Sequence, residues 1–220
     1  MTLNVILAGA SGEVGKRLLD KLIANNLVSS IHIVNRGPHP IQHPKVIQHL
    51  VDFENLSTLD NTLKFDLAFC CLGTTIKKAG SKKAFEKVDF QYTCQFAQLA
   101  KQHDCHKFAV ISCVGANAHK GGFYLETKGR MEKDLQDMNW QTLYLFRPSL
   151  LTGKRQEFRL GEQIGGLFSN LLSPLLQGTL HKYRPIKMDL VANAMNAITR
   201  TSEIGMNTIE GKEILDLARQ

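Results

Sequence analysis

The sequence predicts a doubly wound α/β fold, a parallel sheet covered by helices on both faces. Short apolar runs rich in β-branched residues recur at residues 5–8, 30–34, 46–49, 67–72, 108–112 and 142–146. The most apolar of these runs read as strands buried on both faces. Between the runs the apolar spacing shifts to the helical period: Val14, Leu18, Leu19, Leu22 and Ile23 form one stripe, Val88, Tyr92, Phe96 and Leu99 a second, and Met131, Leu135 and Met138 a third. Strand then helix, repeated over short connections, is the order that builds a parallel sheet.

After Pro148 the rhythm changes. Residues 149–182 are rich in Gly, Leu and Ser and are expected to be loops around an amphipathic helix near 162–177, forming an insertion on the substrate side of one domain that spans 1–220. A last short strand is expected at 184–187, then helices at 189–198 and 212–219. The 220 residues suit one domain, since domains run to about 100–200 residues.

Composition narrows the class. Hydrophobic residues at 43% and charged residues at 21% exclude an intrinsically disordered chain and a fibre. Cys70, Cys71, Cys94, Cys105 and Cys113 are odd in number and lack C-x-x-C spacing, which fits buried thiols in a reducing compartment and leads to the expectation of a cytoplasmic protein. His103, Asp104, Cys105 and His106 lack a second ligand cluster at a zinc-like distance, so no metal is expected. No apolar stretch approaches the about 18 residues of a membrane helix, and no membrane partner is expected. The net charge of +7 asks for an anionic partner.

The turn Gly9-Ala10-Ser11-Gly12-Glu13-Val14-Gly15 follows the first strand at once and opens the first helix. Its glycines allow a tight turn, close backbone approach to a pyrophosphate, and close helix-on-strand packing, while the helix N-terminus offers free N–H groups to the anion. The spacing is G-x-x-G-x-x-G, and the strand and helix on either side supply the context that a nucleotide site requires. The second strand ends Val34-Asn35-Arg36, with no acid for ribose hydroxyls. Arg36 can instead fork onto a 2′-phosphate, which favours NADP(H) over NAD(H). Asp52-Phe53 after the third strand and Leu72-Gly73-Thr74-Thr75 after the fourth stand at strand C-terminal ends, where open α/β sheets bind ligands. Asp52 could accept the adenine amino group and Phe53 cover the base, while Gly73 lets the chain pass close to the cofactor and Thr74 offers a hydroxyl.

Tyr124 and Lys128 stand at i and i+4, on one face of a helix. A phenol of pKa about 10 is a poor acid–base group at neutral pH, but a neighbouring cation favours its ionised form. Tyr124 can then exchange a proton with a substrate hydroxyl or carbonyl, and Ser112, ending the fifth strand, is expected to polarise the same oxygen.

Gly9-x-x-Gly12-x-x-Gly15, Ser112, Tyr124-x-x-x-Lys128 and Arg147-Pro148 together resemble the atypical NAD(P)-binding branch of the short-chain dehydrogenase/reductase superfamily. Val34-Asn35-Arg36, Cys71-Leu72-Gly73-Thr74-Thr75, Tyr124-x-x-x-Lys128-Gly129 and Arg155-Gln156-Glu157-x-Arg159-x-Gly161-Glu162 resemble, more narrowly, the Tat-interacting-protein oxidoreductase-like group. The resemblance implies a Rossmann domain holding NADPH, the triad roles for Ser112, Tyr124 and Lys128, and Leu151 and Arg159 as further cofactor contacts. Related proteins commonly form homodimers. Two departures stand out: Pro148-Ser149 replaces the usual Pro-Gly, and Cys70-Cys71-Leu72-Gly73 replaces Asn-Asn-Ala-Gly.

The expected function is an NADP(H)-dependent oxidoreductase acting on a small carbonyl or alcohol. The alternatives are a non-catalytic NADPH-sensing protein, favoured by the substituted loops, and a nucleotide-sugar epimerase or dehydratase, for which the residues after 148 leave little room. The basic run at 77–87 holds five lysines and one aromatic, without arginine forks or interleaved stacking residues, so no nucleic-acid partner is expected. It follows the fourth-strand loop, where its charge could steer a phosphorylated cofactor inward.

Overall fold

The computed structural model describes residues 2–54, 56, 59–153 and 183–220; the helix expected at 162–177, the motif at 155–162 and Arg159 lie outside the described residues. β1 (Leu3–Ala8) is the apolar centre, its last four residues buried on both faces. β2 (Val28–Asn35) pairs on one side of it and β4 (Leu67–Cys70) on the other, all parallel. β3 (Val46–Leu50), β5 (Lys107–Ile111), β6 (Thr142–Arg147) and β9 (Gly205–Glu210) complete a seven-stranded sheet in the order β3-β2-β1-β4-β5-β6-β9. The strand order reverses between β1 and β4, which opens a crevice at their C-terminal ends.

Helices cover both faces. α1 (Glu13–Ala24) buries Val14, Leu18, Leu19 and Leu22, the expected stripe, and packs beside α6 (Met188–Ala197). The Asn25 side chain ends α1 by accepting from the Leu27 N–H while its amide donates to Asn196 and Thr199, which ties the two helices together. α4 (Tyr92–Gln102) and α5 (Phe123–Asp137) cover the other face through Phe96, Leu99, Met131 and Leu135. Each fully buried side chain of this size stabilises the fold by about 1.5–3 kcal/mol.

Between β4 and α4 lie two short helices, α2 (Ile76–Ala79) and α3 (Lys82–Glu86), capped by the Thr75 and Ser81 hydroxyls, and then one widened π-helical turn, Lys87–Gln91. The turn leaves Val88 and Tyr92 of the expected stripe half-buried while Phe96 and Leu99 reach the core.

The structure corrects the sequence reading at the C-terminal side. The strand expected at 184–187 is the two-residue β8 (Ile186–Lys187), which pairs with β7 (Leu151–Thr152) apart from the main sheet. The seventh strand of the main sheet is instead β9, which the sequence reading missed. β9 lies at the sheet edge and buries only Ile209, with Met206 58% exposed, so its apolar signal is weak. α7 (Gly211–Leu217) closes the chain, with Glu210 and Glu213 forming a capping box.

Candidate active site

The β1–α1 turn lies at the mouth of the crevice. Gly9 has a left-handed φ of 84°, and a Cβ there would stand 2.6 Å from the Cys71 backbone; at Gly15 it would stand 2.0 Å from the Gly9 carbonyl oxygen. Only glycine lets the helix start this close to the strand and leave room above the turn. The Gly12 N–H donates to the Gly9 carbonyl, whereas the N–H groups of Glu13, Val14 and Gly15 head the helix with no side-chain cap. Ser11 is exposed beside them, and the Glu13 carboxylate is held by Arg17 at 2.9 Å, so a ligand would meet the Glu13 backbone.

Arg36 stands exposed just past β2. Beside it, Asn35 is 8% exposed and its Nδ2 finds no acceptor among the described residues. A buried unpaired donor costs about 1–3 kcal/mol, so one at a ligand edge marks a place where a ligand acceptor would fit. The sequence reading missed Asn35, whose side chain in a turn-like Asn-Arg-Gly stretch carries no pattern of its own. Asp52 is exposed and accepts from the Glu54 N–H at 2.9 Å. The Phe53 ring is 3% exposed and packs 5.3 Å from Tyr92, within the core and not on an open face. Leu72, Gly73 and Thr74 are half-buried beside the glycine turn. Leu151 is buried on β7.

Tyr124 and Lys128 occupy successive turns at the start of α5. Gly129 lets the loop after β5 cross this helix: a Cβ there would lie 2.1 Å from the Asn117 carbonyl carbon. The Lys128 ammonium is buried, 2.8 Å from an Asp89 carboxylate oxygen and 3.4 Å from the Ile111 carbonyl oxygen. The other Asp89 oxygen accepts from the Thr74 N–H at 2.8 Å. Burial works against the ammonium, but the charge and hydrogen bond of Asp89 outweigh it and hold Lys128 above the ordinary lysine range.

Ser112 is buried and its Oγ has no partner among the described residues. The Tyr124 hydroxyl and the thiol of Cys113 share a hydrogen bond, and burial pushes that thiol up to about 12, so it stays protonated at neutral pH. The Tyr124 ring is braced by Phe85 at 5.5 Å, the aromatic of the lysine run. Arg147 of the Arg-Pro motif pairs with the buried Glu132 at 2.5 Å and with Glu210 at 3.2 Å, clamping α5, β6 and β9 together.

A parallel sheet that reverses order beside a glycine turn, with a Tyr-x-x-x-Lys helix packed over its C-terminal edge, defines a protein of the Rossmann-type α/β class. Rat protein HTATIP2 is 33% identical over 98% of this chain and 89% of its own length, and the chain belongs to the HTATIP2 family. The mitochondrial protein FMP52 of Debaryomyces hansenii is 28% identical over 70% of each chain, and FMP52-1 of Scheffersomyces stipitis 26% identical over 99% of this chain and 100% of its own. No protein-family model matches the chain.

Among solved structures, MoeE5 in complex with UDP-glucose and NAD superposes with a TM-score of 0.67 at 14% identity, over 98% of this chain and 80% of that one. The human epimerase family protein SDR39U1 with NADPH gives a TM-score of 0.62 at 14% identity, over 96% and 77%. Uronate dehydrogenase from Agrobacterium tumefaciens gives 0.67 at 14%, over 96% and 76%. At these identities the likeness is one of fold.

The fungal relatives overturn the expectation of a cytoplasmic protein, since they are mitochondrial proteins. The reasoning from cysteines could not have seen this. Cys70, Cys105 and Cys113 are unpaired because they are packed into the interior, which reports on the fold and not on the compartment.

Proposed function

We propose that this protein is an NADP(H)-dependent oxidoreductase acting on a small carbonyl or alcohol, with Tyr124 exchanging the proton and Lys128 supporting it. One observation carries the reading: the buried, charged Lys128, one helical turn after Tyr124, is paired with Asp89, whose second oxygen holds the Thr74 N–H in the loop after β4, while Cys71, just past that strand, packs on Gly9 of the glycine turn. Nucleotide cradle and proton-transfer group thus share one crevice. The residues fit the cofactor on two further counts. Any side chain at Gly9 or Gly15 would collide with the Cys71 or Gly9 backbone and push the turn away from the strand, and the N–H groups of Glu13, Val14 and Gly15 are uncapped and suited to a pyrophosphate. Arg36 and the unpaired Asn35 amide would meet the adenosine phosphate and ribose. The cofactor, when bound, supplies or accepts the hydride; the chain's own residues bind it, orient it and move the proton.

A second reading is favoured by Cys113. A thiol is a weaker hydrogen-bonding partner than a hydroxyl, so the contact with Cys113 holds Tyr124 only weakly, an arrangement that a protein binding NADPH without turnover would tolerate. The test is NADPH binding by the purified protein, followed by cofactor oxidation with a panel of carbonyls. Turnover that Tyr124→Phe abolishes supports the reductase, and binding without turnover across the panel supports the second reading. Arg36→Ala is expected to weaken NADPH by about 10- to 100-fold, the loss of a charge-assisted bond of about 1.5–3 kcal/mol, and NADH far less. Equal loss for both removes the phosphate contact.

A further inference from the structure

Asp89 is 1% exposed and sits in the π-helical turn between α3 and α4, where neither the sequence pattern nor the triad roles single it out. Both of its oxygens are committed. One meets Lys128 at 2.8 Å, and the other accepts from the Thr74 N–H at 2.8 Å in the loop that follows β4. Gly73 closes over it: a Cβ there would lie 3.4 Å from the carboxylate. Three elements therefore meet at one side chain: the β4 loop, the widened turn and α5. Single widened turns inside α-helices are frequent at functional sites because they re-aim one residue. Here the residue is Asp89, and its target is the ammonium of the Tyr-x-x-x-Lys motif.

We infer that Asp89 is a positioning residue: its carboxylate pins the Lys128 ammonium beside the Cys113–Tyr124 pair and couples it to the Thr74 loop. This rests on the reductase reading only in assigning Lys128 a part in proton exchange. Without Asp89 the ammonium would be surrounded by the Ile111 carbonyl and the thiols of Cys70 and Cys113, and a buried ammonium with no counter-charge sheds its proton. The other groups that bear on it do not replace Asp89. Burial pushes the Cys70 thiol up to about 11 and the Cys113 thiol to about 12, so both are neutral. Tyr124 is hydrogen-bonded to that same Cys113 thiol. Glu132 and Arg147, which also bear on Cys113, are closed on each other. Asp89 is thus the carboxylate that balances Lys128, and its bond to Thr74 means that a shift of the β4 loop moves the ammonium.

The test follows the Lys128 side chain directly. With carbon-13-labelled lysine, the Lys128 Cε resonance, assigned by its loss in Lys128→Arg, is titrated in the wild type, in Asp89→Asn and in Asp89→Glu, without cofactor. The wild-type group is expected to remain protonated beyond the ordinary lysine midpoint of about 10.4 in spite of its burial. Asp89→Asn keeps an oxygen for the Thr74 N–H but removes the charge, and the midpoint is expected to fall by more than about one pH unit; Asp89→Glu should recover most of it. A wild-type Lys128 that titrates below the ordinary midpoint overturns the inference even if Asp89→Asn fails to fold, and so does an Asp89→Asn midpoint that does not move. In turnover, the alkaline limb of the pH–rate profile should move down with the Asp89→Asn midpoint, whereas a merely structural residue would lower the rate equally at every pH. If no carbonyl is turned over, the reductase reading fails while the titration still decides the role of Asp89.

Discussion

Two titratable pairs, one buried and one with a buried and a half-buried member, lie on the same face of the sheet and solve the same problem in opposite ways. Lys128 and Asp89, at the C-terminal edge, stay charged and 2.8 Å apart. His32 of β2 and His49 of β3, beside Phe65, share a hydrogen bond of 2.8 Å between Nδ1 and Nε2, and stay neutral. Burial lowers His32 to about 4, with the charges of His49 and His103 acting the same way, and burial also lowers His49. An imidazole can discard its charge when no counter-ion is at hand, and one neutral ring then donates while the other accepts. An ammonium beside a carboxylate gains from keeping it. What burial does to a titratable group is set by its partner, and the pair retained as ions is the one at the crevice.

The largest effect should come from breaking the ion pair on one side. Lys128→Met leaves the 2%-exposed Asp89 carboxylate without its cation, and is expected to cost about 3–5 kcal/mol in chemical denaturation. Combining it with Asp89→Asn removes both charges and should recover most of that loss. A single-variant cost no larger than that of a surface pair would mean that water reaches the site, and the contrast with the histidines would fall.

The histidine pair gives the next effect, visible only as acid is added. The folded state holds His32 below its unfolded value, so between about pH 6.5 and about 4 the unfolded chain binds more protons and stability rises with pH. Stability present above the unfolded midpoint is therefore lost as the pH falls through that window, by roughly 3 kcal/mol for His32 alone. Protonation also places a second donor in the His32–His49 bond. Urea unfolding between pH 7 and about 5.5, above the carboxylate range, measures the first part of this loss. His32→Phe should flatten the slope whatever it does to absolute stability. A wild-type slope of zero would show that the rings are hydrated.

These contrasts explain what could be read from the sequence. The glycine turn was legible because its constraint is local and steric: Gly9 and Gly15 are required by contacts with Cys71 and with each other. β1, β4 and β5 were legible because strands buried on both faces read as apolar runs. Asp89 was not, since a carboxylate inside a lysine-rich segment reads as a solvated face until the widened turn swings it against α5. β9 was missed because an edge strand needs little apolar surface to hold its place. The Cys113 contact depended on the direction of one side chain past the end of β5, which no pattern specifies. Long-range pairing of polar groups is the information that composition and period do not carry.

The smallest effect isolates burial as the cause. Lys64 and Asp104 form an ion pair at 2.7 Å, nearly the length of the Lys128–Asp89 contact, but their side chains are 74% and 62% exposed. The Asp104 hydrogen bond and charge raise Lys64 above the ordinary lysine range, the direction in which Asp89 moves Lys128. The surroundings differ: water screens the exposed pair and stands ready to solvate either partner left alone, whereas without Asp89 the Lys128 ammonium would meet, among the described residues, the Ile111 carbonyl and two neutral thiols. Asp104 also has a left-handed φ of 57°, a conformation that asparagine tolerates, so Asp104→Asn removes the charge without straining the backbone. Its denaturation midpoint should match the wild type, and adding salt should change neither protein's response relative to the other. A clear loss in Asp104→Asn would show that contact length, and not burial, sets the strength of an ion pair in this fold, and the charge at Lys128 would then need a different explanation.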